Sequence, residues 1–367
     1  TITPWHSRVD FDIAEKFKLE KEPIIDSYGK LLPIAEEFAG MKILDARPKI
    51  VEKLKAKGLL VKEEDYTHNI ATAERTGGIV EPQIMNQWFI DVNKKIPARD
   101  NKTLKELMLG TVEDKQIDFL PERFEKVYTH WITNLRDWCI SRQIWFGHRI
   151  PVWYKDGEEK VSLTSPGEDW IQDEDTLDTW FSSGLWTFST LGWPEKTKDF
   201  QTYHPTDVME SGRDIIFFWI ARMILATTFM TGQIPFKRVY LHGMMRAEDG
   251  KKMSKSRPDS IIDPLDMIEK YGTDALRMAI IWGTAPGNDM SWSTPKIEAT
   301  RNFANKLWNV ARYIEGVVGD MRVDYSTLRA QTSADHWILH KLQTATSTSA
   351  DHLEAMRFSE AFDGLYH

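Results

Sequence analysis

The chain has 367 residues, 28% of them charged, a net charge of −8 and one cysteine. That length can bury a sizeable core in more than one domain, and the acidic balance excludes a general attraction to nucleic acid or anionic membrane, so a polyanion would have to meet a local basic patch. Cys139 alone excludes an internal disulfide and any multi-cysteine zinc site, as suits a reducing cytosol.

No apolar run nears the roughly 20 residues that span a bilayer, and the opening TITPWHSRVD lacks both a basic and an apolar leader segment. Residues 1 to 82 read as a small mixed module. PKIVEKLKAKGLL (48 to 60) has helical apolar spacing and stops at Gly58, while the β-prone run IIDSYGKLLPI is broken by Gly29 and Pro33. Residues 83 to 170 are dense in tryptophan, as in HWITNLRDWCISRQIWFGHRIPVWY (130 to 154), and large rings predict core packing for most of them. RDIIFFWIARMILATTFM (213 to 230) is apolar nearly all round and predicts a helix buried on both sides; FKRVYLHGMM (236 to 245) predicts a buried strand. IDPLDMIEKYG opens a helix with Asp263 as N-cap and Pro264 at its first position, closed by Gly272. Thr273 and Asp274 are expected to cap a second helix, ALRMAIIW. Helix, strand, loop, helix is the rhythm of a parallel α/β sheet. Two long amphipathic stretches, 295 to 318 and 334 to 365, predict a helical bundle.

GKKMSKSRPD (250 to 259) gathers three lysines and two serines behind Gly250. Alone, such a run is a solvated loop. Here it follows the carboxyl end of a strand, which is where ligands bind in open α/β sheets. Gly250 lets the loop flex, Lys252 and Lys255 can bring ammonium groups to one phosphate cluster, and Ser254 and Ser256 can donate hydrogen bonds to its oxygens. The result is an electrostatic clamp for charge that develops between α- and β-phosphates as pyrophosphate is displaced. The common phosphate cradles, GxxxxGK[ST] and GxGxxG, are absent from the sequence.

KMSKS (252 to 256) after a strand is the second signature of class I aminoacyl-tRNA synthetases. Four longer blocks resemble the valyl-tRNA synthetases within that class: LRDWCISRQIWFGHRIPVW (135 to 153), DTLDTWFSSGLWTFSTLGWP (175 to 194), SGRDIIFFWIARMI (211 to 224) and NDMSWSTPKIEATRNFANKLWN (288 to 309). The fold this resemblance implies is α/β: over 83 to 294, the second half of a class I Rossmann-type parallel sheet with the KMSKS loop. Before it, over 1 to 82, comes the C-terminal part of an editing insertion, α+β to β-rich; after it, over 295 to 367, the start of an α-helical anticodon-binding domain. The resemblance also implies that Lys255 contacts the ATP phosphates in the transition state with Lys252 assisting, and that Ser254 and Ser256 serve the same catalytic loop. Asp214, Gly212 and His242 would line the ATP side, and Trp180 and Trp219 would wall the amino-acid pocket.

A dry indole-walled pocket suits a small branched side chain. It cannot strongly reject a near-isostere bearing a hydroxyl, for which valine-selecting synthetases faced with threonine are themselves the standard illustration, so hydrolytic editing is implied. The opening segment resembles the editing-site pattern Thr-Pro-x-His-Asp-x-x-Asp. Thr3, Pro4, His6 and Asp10 fit it, and Asp10 would hold the substrate's α-amino group. Ser7 stands where an aspartate is usual, and Thr1 where a lysine is.

The implied substrates are valine, tRNA(Val) and ATP as its Mg2+ complex, in a monomeric cytoplasmic enzyme with no membrane partner. No protein-bound zinc is expected, because Ala73 and Thr76 stand in HNIATAERTGGIVEP (68 to 82) where some relatives carry cysteines. Arg257, Pro258 and Asp259 replace the usual Leu-Gly-Asn after KMSKS, which stiffens the loop and adds charge. No His-Ile-Gly-His signature occurs, so a piece of a longer enzyme, inactive alone in the full reaction, is expected. Isoleucyl-tRNA synthetases share the lysine loop, but their block at 214 to 219 is nearer Asp-Gln-His-Arg-Gly-Trp than DIIFFW. A non-catalytic tRNA-binding or editing module would have no need of a phosphate clamp beside an indole-walled pocket.

Overall fold

The computed structural model describes residues 2–73, 76–253, 257, 261–319, 324 and 329–367. The chain divides into two compact units, Thr1–Trp88 and Phe89–His367; the sequence suggests a boundary at 82/83.

In the first unit, Ser7 is extended and its hydroxyl accepts the Asp10 N–H, which caps helix α1 (Arg8–Phe17). Asp26 Oδ1 accepts from the backbone N–H of both Tyr28 and Lys30, and Gly29 adopts φ +71°. The run IIDSYGKLLPI therefore turns back on itself and pairs through a single bridge, Ile25 to Leu31. Among the described residues of this unit no strand forms. Helix α2 covers Ile43–Ala56 and carries Pro48 in its interior, where the expected helix began at that residue. A proline there removes one donor, and the helix tolerates the loss of one backbone bond in its second turn. It ends at Lys57, followed by Gly58 at φ +69°, a left-handed stop.

The second unit is organised by a three-stranded parallel sheet. In chain order its elements include α3 (Leu104–Glu113), β1 (Asp118–Leu120), α4 (Arg123–Thr133), α5 (Thr179–Gly184), β2 (Thr206–Gly212), α6 (Ala221–Met230) and β3 (Phe236–His242). β3 lies in the middle, parallel to β1 and β2. Its Phe236, Val239 and Leu241 are wholly buried, as the β-branched and aromatic composition predicts. The crossover from β2 to β3 runs through 213–230. The single helix expected there starts as a 3-10 turn, Arg213–Ile215, widens to a π turn, Ile216–Ile220, and becomes α-helical only in α6. α6 buries Ala221 to Leu225, Thr227 and Thr228, so its apolar circumference is used. With α3 and α4 it packs Met108, Tyr128, Ile132, Ile220, Met223 and Ile224 into one core. Tyr128, fully buried, donates its hydroxyl to the Met108 carbonyl at 3.1 Å, and burial pushes its phenol well above the ordinary range.

Helix α7 (Pro264–Tyr271) is built as expected: the Asp263 carboxylate accepts the Leu265 N–H, Pro264 leads, and Gly272 at φ +92° ends it. Thr273 and Asp274 are not caps. Gly272 occupies that position, and α8 (Thr273–Ile281) begins with both residues already helical and no side-chain cap. Between the sheet and α7 lies β4 (Met245–Arg246), paired in parallel with β5 (Met290–Ser291). Helix α9 (Thr294–Val318) packs on α7 and α8 around Tyr271, Leu276, Ala279 and Ile297. The stretch expected as one helix from 334 to 365 is two, α10 (Ser333–Glu354) and α11 (Phe358–Tyr366), because Met356 adopts φ +56° between them. No described helix is long and apolar enough to cross a membrane.

Core packing fails for part of the tryptophan-rich segment. Trp145 is fully exposed and Phe146 is 94% exposed, while Trp131 is half-exposed beside Phe217. The loop is tied at its base, where Gln143 donates to Asp175 and Arg149 to the Asp173 carbonyl, and these bonds leave the Ile144–Phe146 tip outside the core.

Leu241 fills the middle of the central strand with no exposure. Leu241→Ala should destabilise the protein by about 2 to 5 kcal/mol, read as a lower midpoint of chemical denaturation.

Candidate functional site

Residues expected on the ATP side converge at the carboxyl edge of the sheet. The parallel register places His242, last of β3, opposite Gly212, last of β2. A Cβ added to Gly212 would lie 3.5 Å from Asp214 Oδ1 and 3.7 Å from the His242 ring, so the three residues form one group. His242 Nδ1 donates to its neighbour's carbonyl, Gly243 O, at 2.7 Å, and Nε2 stands 3.3 Å from Glu210 Oε1. Beside this edge opens a cavity of about 620 Å³, walled by Glu210, His242, Met244, Met253, Ile262 and Trp292 among others.

The lysine loop leaves the same edge. After β4, the chain folds into a hairpin in which Ala247 N donates to Lys251 O at 3.0 Å and Gly250 N to Ala247 O at 2.9 Å, with Gly250 at φ +75°. Lys252 is exposed and bridges Arg246. Arg257 reaches back to the Lys252 carbonyl at 2.6 Å and to Asp249 at 3.1 Å. Donation from the Lys251 N–H, then from Arg257, holds the Asp249 carboxyl below its usual range. Ser254, Lys255 and Ser256, expected to complete the clamp, lie outside the described residues, as do Pro258 and Asp259.

Asp289 was not singled out by the sequence. Its Oδ1 accepts the Met244 N–H at 3.0 Å; its Oδ2 accepts Arg246 Nε at 2.7 Å and Arg213 Nη2 at 3.0 Å, and Arg246 Nη2 donates to that same Oδ2. The Met244 donation first, and Arg246 second, hold its carboxyl below the ordinary range. Gly243 makes this seat possible. A Cβ there would fall 1.6 Å from the Asn288 carbonyl oxygen, so only glycine lets the two backbones approach. The one sequence signal was the block NDMSW, whose aspartate gave no hint of partners more than 40 residues away.

Trp180 and Trp219 part company. Trp180 is held on α5 by Asp178, whose carboxylate accepts the Trp180 N–H at 2.7 Å, and it stacks on Phe218 with ring centroids 6.0 Å apart. It lines a second cavity of about 580 Å³ together with Trp138, Phe181, Arg222 and Phe229. Trp219 packs against the main core and lines neither cavity. Arg222 is 95% buried by its 5% exposure, with its guanidinium 3.9 Å from the Trp138 ring centre and 4.8 Å from that of Phe217. Burial pushes its pKa down to about 10.

In the first unit, Thr3 and Asp10 are brought together. Asp10 Oδ2 accepts the Thr3 N–H at 2.8 Å and its hydroxyl at 3.1 Å, and the first of these lowers the Asp10 pKa most. His6 is occupied at both nitrogens, donating from Nδ1 to Pro82 O at 3.0 Å and accepting the Ile24 N–H at Nε2 at 3.4 Å. Ser7, in place of the usual aspartate, serves as the helix cap. Thr1 lies outside the described residues. Among the described residues, no group of three or more His, Cys, Asp or Glu side chains gathers as a metal site.

The sequence matches the family described as tRNA synthetases class I (I, L, M and V) over residues 30–172 and 162–293. Curated proteins named Valine--tRNA ligase align with the whole chain: 43% identity for Staphylococcus carnosus (strain TM300), 44% for Symbiobacterium thermophilum and 43% for Bacillus subtilis (strain 168). The chain spans 42%, 40% and 41% of those proteins, about two fifths of their length. The fold is similar to Mycobacterium tuberculosis methionyl-tRNA synthetase in complex with methionyl-adenylate, with a TM-score of 0.60 and 20% identity over 98% of this chain and 67% of that one. It is also similar to Agrobacterium radiobacter K84 agnB2 LeuRS in its ternary complex with tRNA and LeuAMS, with a TM-score of 0.55 and 18% identity over 66% of this chain and 38% of that one.

Gly243→Ala should displace the Asn288–Asp289 backbone and cost about 3 kcal/mol, the upper end of overpacking penalties. Amide exchange at Met244, whose N–H is held by Asp289, should accelerate; unchanged exchange would contradict the close seat.

Proposed function

The chain belongs to the class I tRNA synthetases (I, L, M and V), and from that premise we propose that it forms the nucleotide-binding part of an enzyme that joins valine to tRNA(Val). The observation that carries the choice of valine is alignment of the entire chain with Valine--tRNA ligases at 43 to 44% identity. The grouping of Gly212, Asp214 and His242 beside the root of the lysine loop supports a nucleotide at that edge.

In this reading a valine carboxylate oxygen attacks the α-phosphorus of Mg2+-bound ATP in line. The new P–O bond gives valyl-adenylate as the bond to the β-phosphate breaks and pyrophosphate leaves. A terminal ribose hydroxyl of the tRNA then attacks the valyl carbonyl carbon, and AMP departs. The protein's own part is orientation and charge stabilisation. The backbone at Gly212 lets adenosine approach the sheet edge, since a side chain there would fill the space before Asp214 and His242. Lys252 and Lys255 meet the negative charge that builds on the phosphates, and Ser254 and Ser256 donate to the same oxygens. Trp180, stacked on Phe218 at the wall of an apolar cavity, supplies the dry surface a branched side chain selects.

Proofreading of threonyl-tRNA is assigned to the first unit. The Thr3–Asp10 pair supports it: a carboxylate kept ionised and half-exposed can receive an α-ammonium group. His6, with both nitrogens engaged by backbone, sets the shape of the segment and does no proton transfer.

Two measurements on the full-length enzyme test these assignments. Lys255→Ala should slow valine-dependent ATP–pyrophosphate exchange by about a hundredfold or more, with the KM for valine almost unchanged; an effect below about threefold would remove the clamp. Asp10→Ala should leave that exchange intact while threonyl-tRNA accumulates in a misacylation assay, and no rise in mischarged tRNA would end the editing assignment.

A further inference from the structure

We infer that Asp289 is a positioning residue for activation, locking the root of the lysine loop to the turn that follows β2 so that the clamp and the adenosine edge keep one spacing. This rests on the reading of that edge as the site of adenylate formation.

The two arginines held by Asp289 leave the sheet by different routes. Arg213 follows Gly212 directly and precedes Asp214, so it belongs to the turn at the end of β2. Arg246 ends β4, beyond the end of β3, and is bridged to Lys252 across the hairpin. One carboxylate oxygen takes both guanidinium groups, and the other takes the Met244 N–H. Arg213 adds a bond to Gly287 O at 3.1 Å, and Arg246 reaches toward Gly250 O at 3.4 Å, inside the turn of the lysine hairpin. A single side chain therefore ties together the β2 turn, the start of the loop and the segment before α9.

Backbone pairing alone is a weak tether there. β4 and β5 are two residues each, joined at their margins by Met290 N to Met244 O at 3.1 Å and Trp292 N to Arg246 O at 2.9 Å. Two charge-assisted donations from one guanidinium onto a single carboxylate oxygen add the direction that so short a ladder lacks. The side chains also distinguish positioning from bulk stability. Asp289 is 14% exposed, but Arg213 and Arg246 are 36% and 37% exposed, so water can receive both cations if the carboxylate is neutralised. The fold should survive that change. The spacing should not, and the released guanidinium groups would also be free to compete for phosphate oxygens.

The test is Asp289→Asn in the full-length enzyme, which keeps the size and an oxygen for Met244 while removing the charge. Valine-dependent ATP–pyrophosphate exchange should fall at least about tenfold in kcat with the KM for valine within about twofold. The thermal midpoint should stay close to that of the unaltered enzyme, and endoproteinase Lys-C should cut the loop at Lys251, Lys252 or Lys255 several times faster. Wild-type kcat and wild-type cleavage would overturn the inference, as would a fall in kcat that merely tracks global unfolding. If Asp289→Asn does not fold, Arg246→Lys, which keeps the charge but loses the paired donation to Oδ2, should show the same kcat-selective loss, and its absence is equally contrary. Should the unaltered enzyme show no valine-dependent exchange, the functional reading fails by itself, and the Lys-C rates alone decide whether Asp289 holds the loop.

Discussion

Parallel pairing of β2 with β3 sets Gly212 opposite His242, and the candidate site depends on that register. A slip of one residue would exchange the faces of the central strand and move Val239 and Leu241 off the side they fill, so the core they pack into also fixes which residues reach the edge. Past the edge both strands stop pairing with each other, and the chain must supply other partners for its backbone. It does so with the Asn288–Asp289 segment, which is admitted by the missing side chain of Gly243 and closed by two arginines. Hydrophobic packing places the site, and a small set of charged hydrogen bonds shapes its mouth.

What could be read from the sequence was whatever is local. The start and stop of α7 followed from Asp263, Pro264 and Gly272 because a cap, a first-turn proline and a left-handed stop each act within a few residues. The parallel α/β rhythm followed from period and composition over 213 to 245, while in 1 to 82 only the stretch from 48 to 60 read as a helix, its stop at Gly58 legible and its start at Ile43 not, and α1 was not read at all. Propensity misled where a single residue's backbone settled the outcome. Met356 at φ +56° divides a stretch whose periodicity runs straight through it, and the π turn at Ile216–Ile220 carries no pattern of its own. The exposed Trp145 and Phe146 show the limit of composition: aromatic density says that rings are present and not which side of a loop they face.

The candidate site was legible in the same proportion. Gly212 and Asp214 were assigned through one family block and His242 through the same family resemblance, and the structure brings them together because Gly212 and His242 end neighbouring strands and Asp214 follows in the turn after β2. Trp180 and Trp219, assigned through the same blocks, stand in different surroundings, one on a cavity wall and one against the core. Asp289 was invisible because its partners lie 43, 45 and 76 residues away, beyond any local pattern. In the first unit the departure at Ser7 has a local explanation, since a serine there caps α1 as well as an aspartate would, while Asp10 keeps its bond to Thr3.

The most direct test is a crystal structure of the full-length enzyme with a non-hydrolysable valyl-adenylate analogue. The adenosine should rest against Gly212, Asp214 and His242 with its linking group turned toward the lysine hairpin rooted at Arg246. An analogue bound away from that edge, with the hairpin untouched, would contradict the assignment.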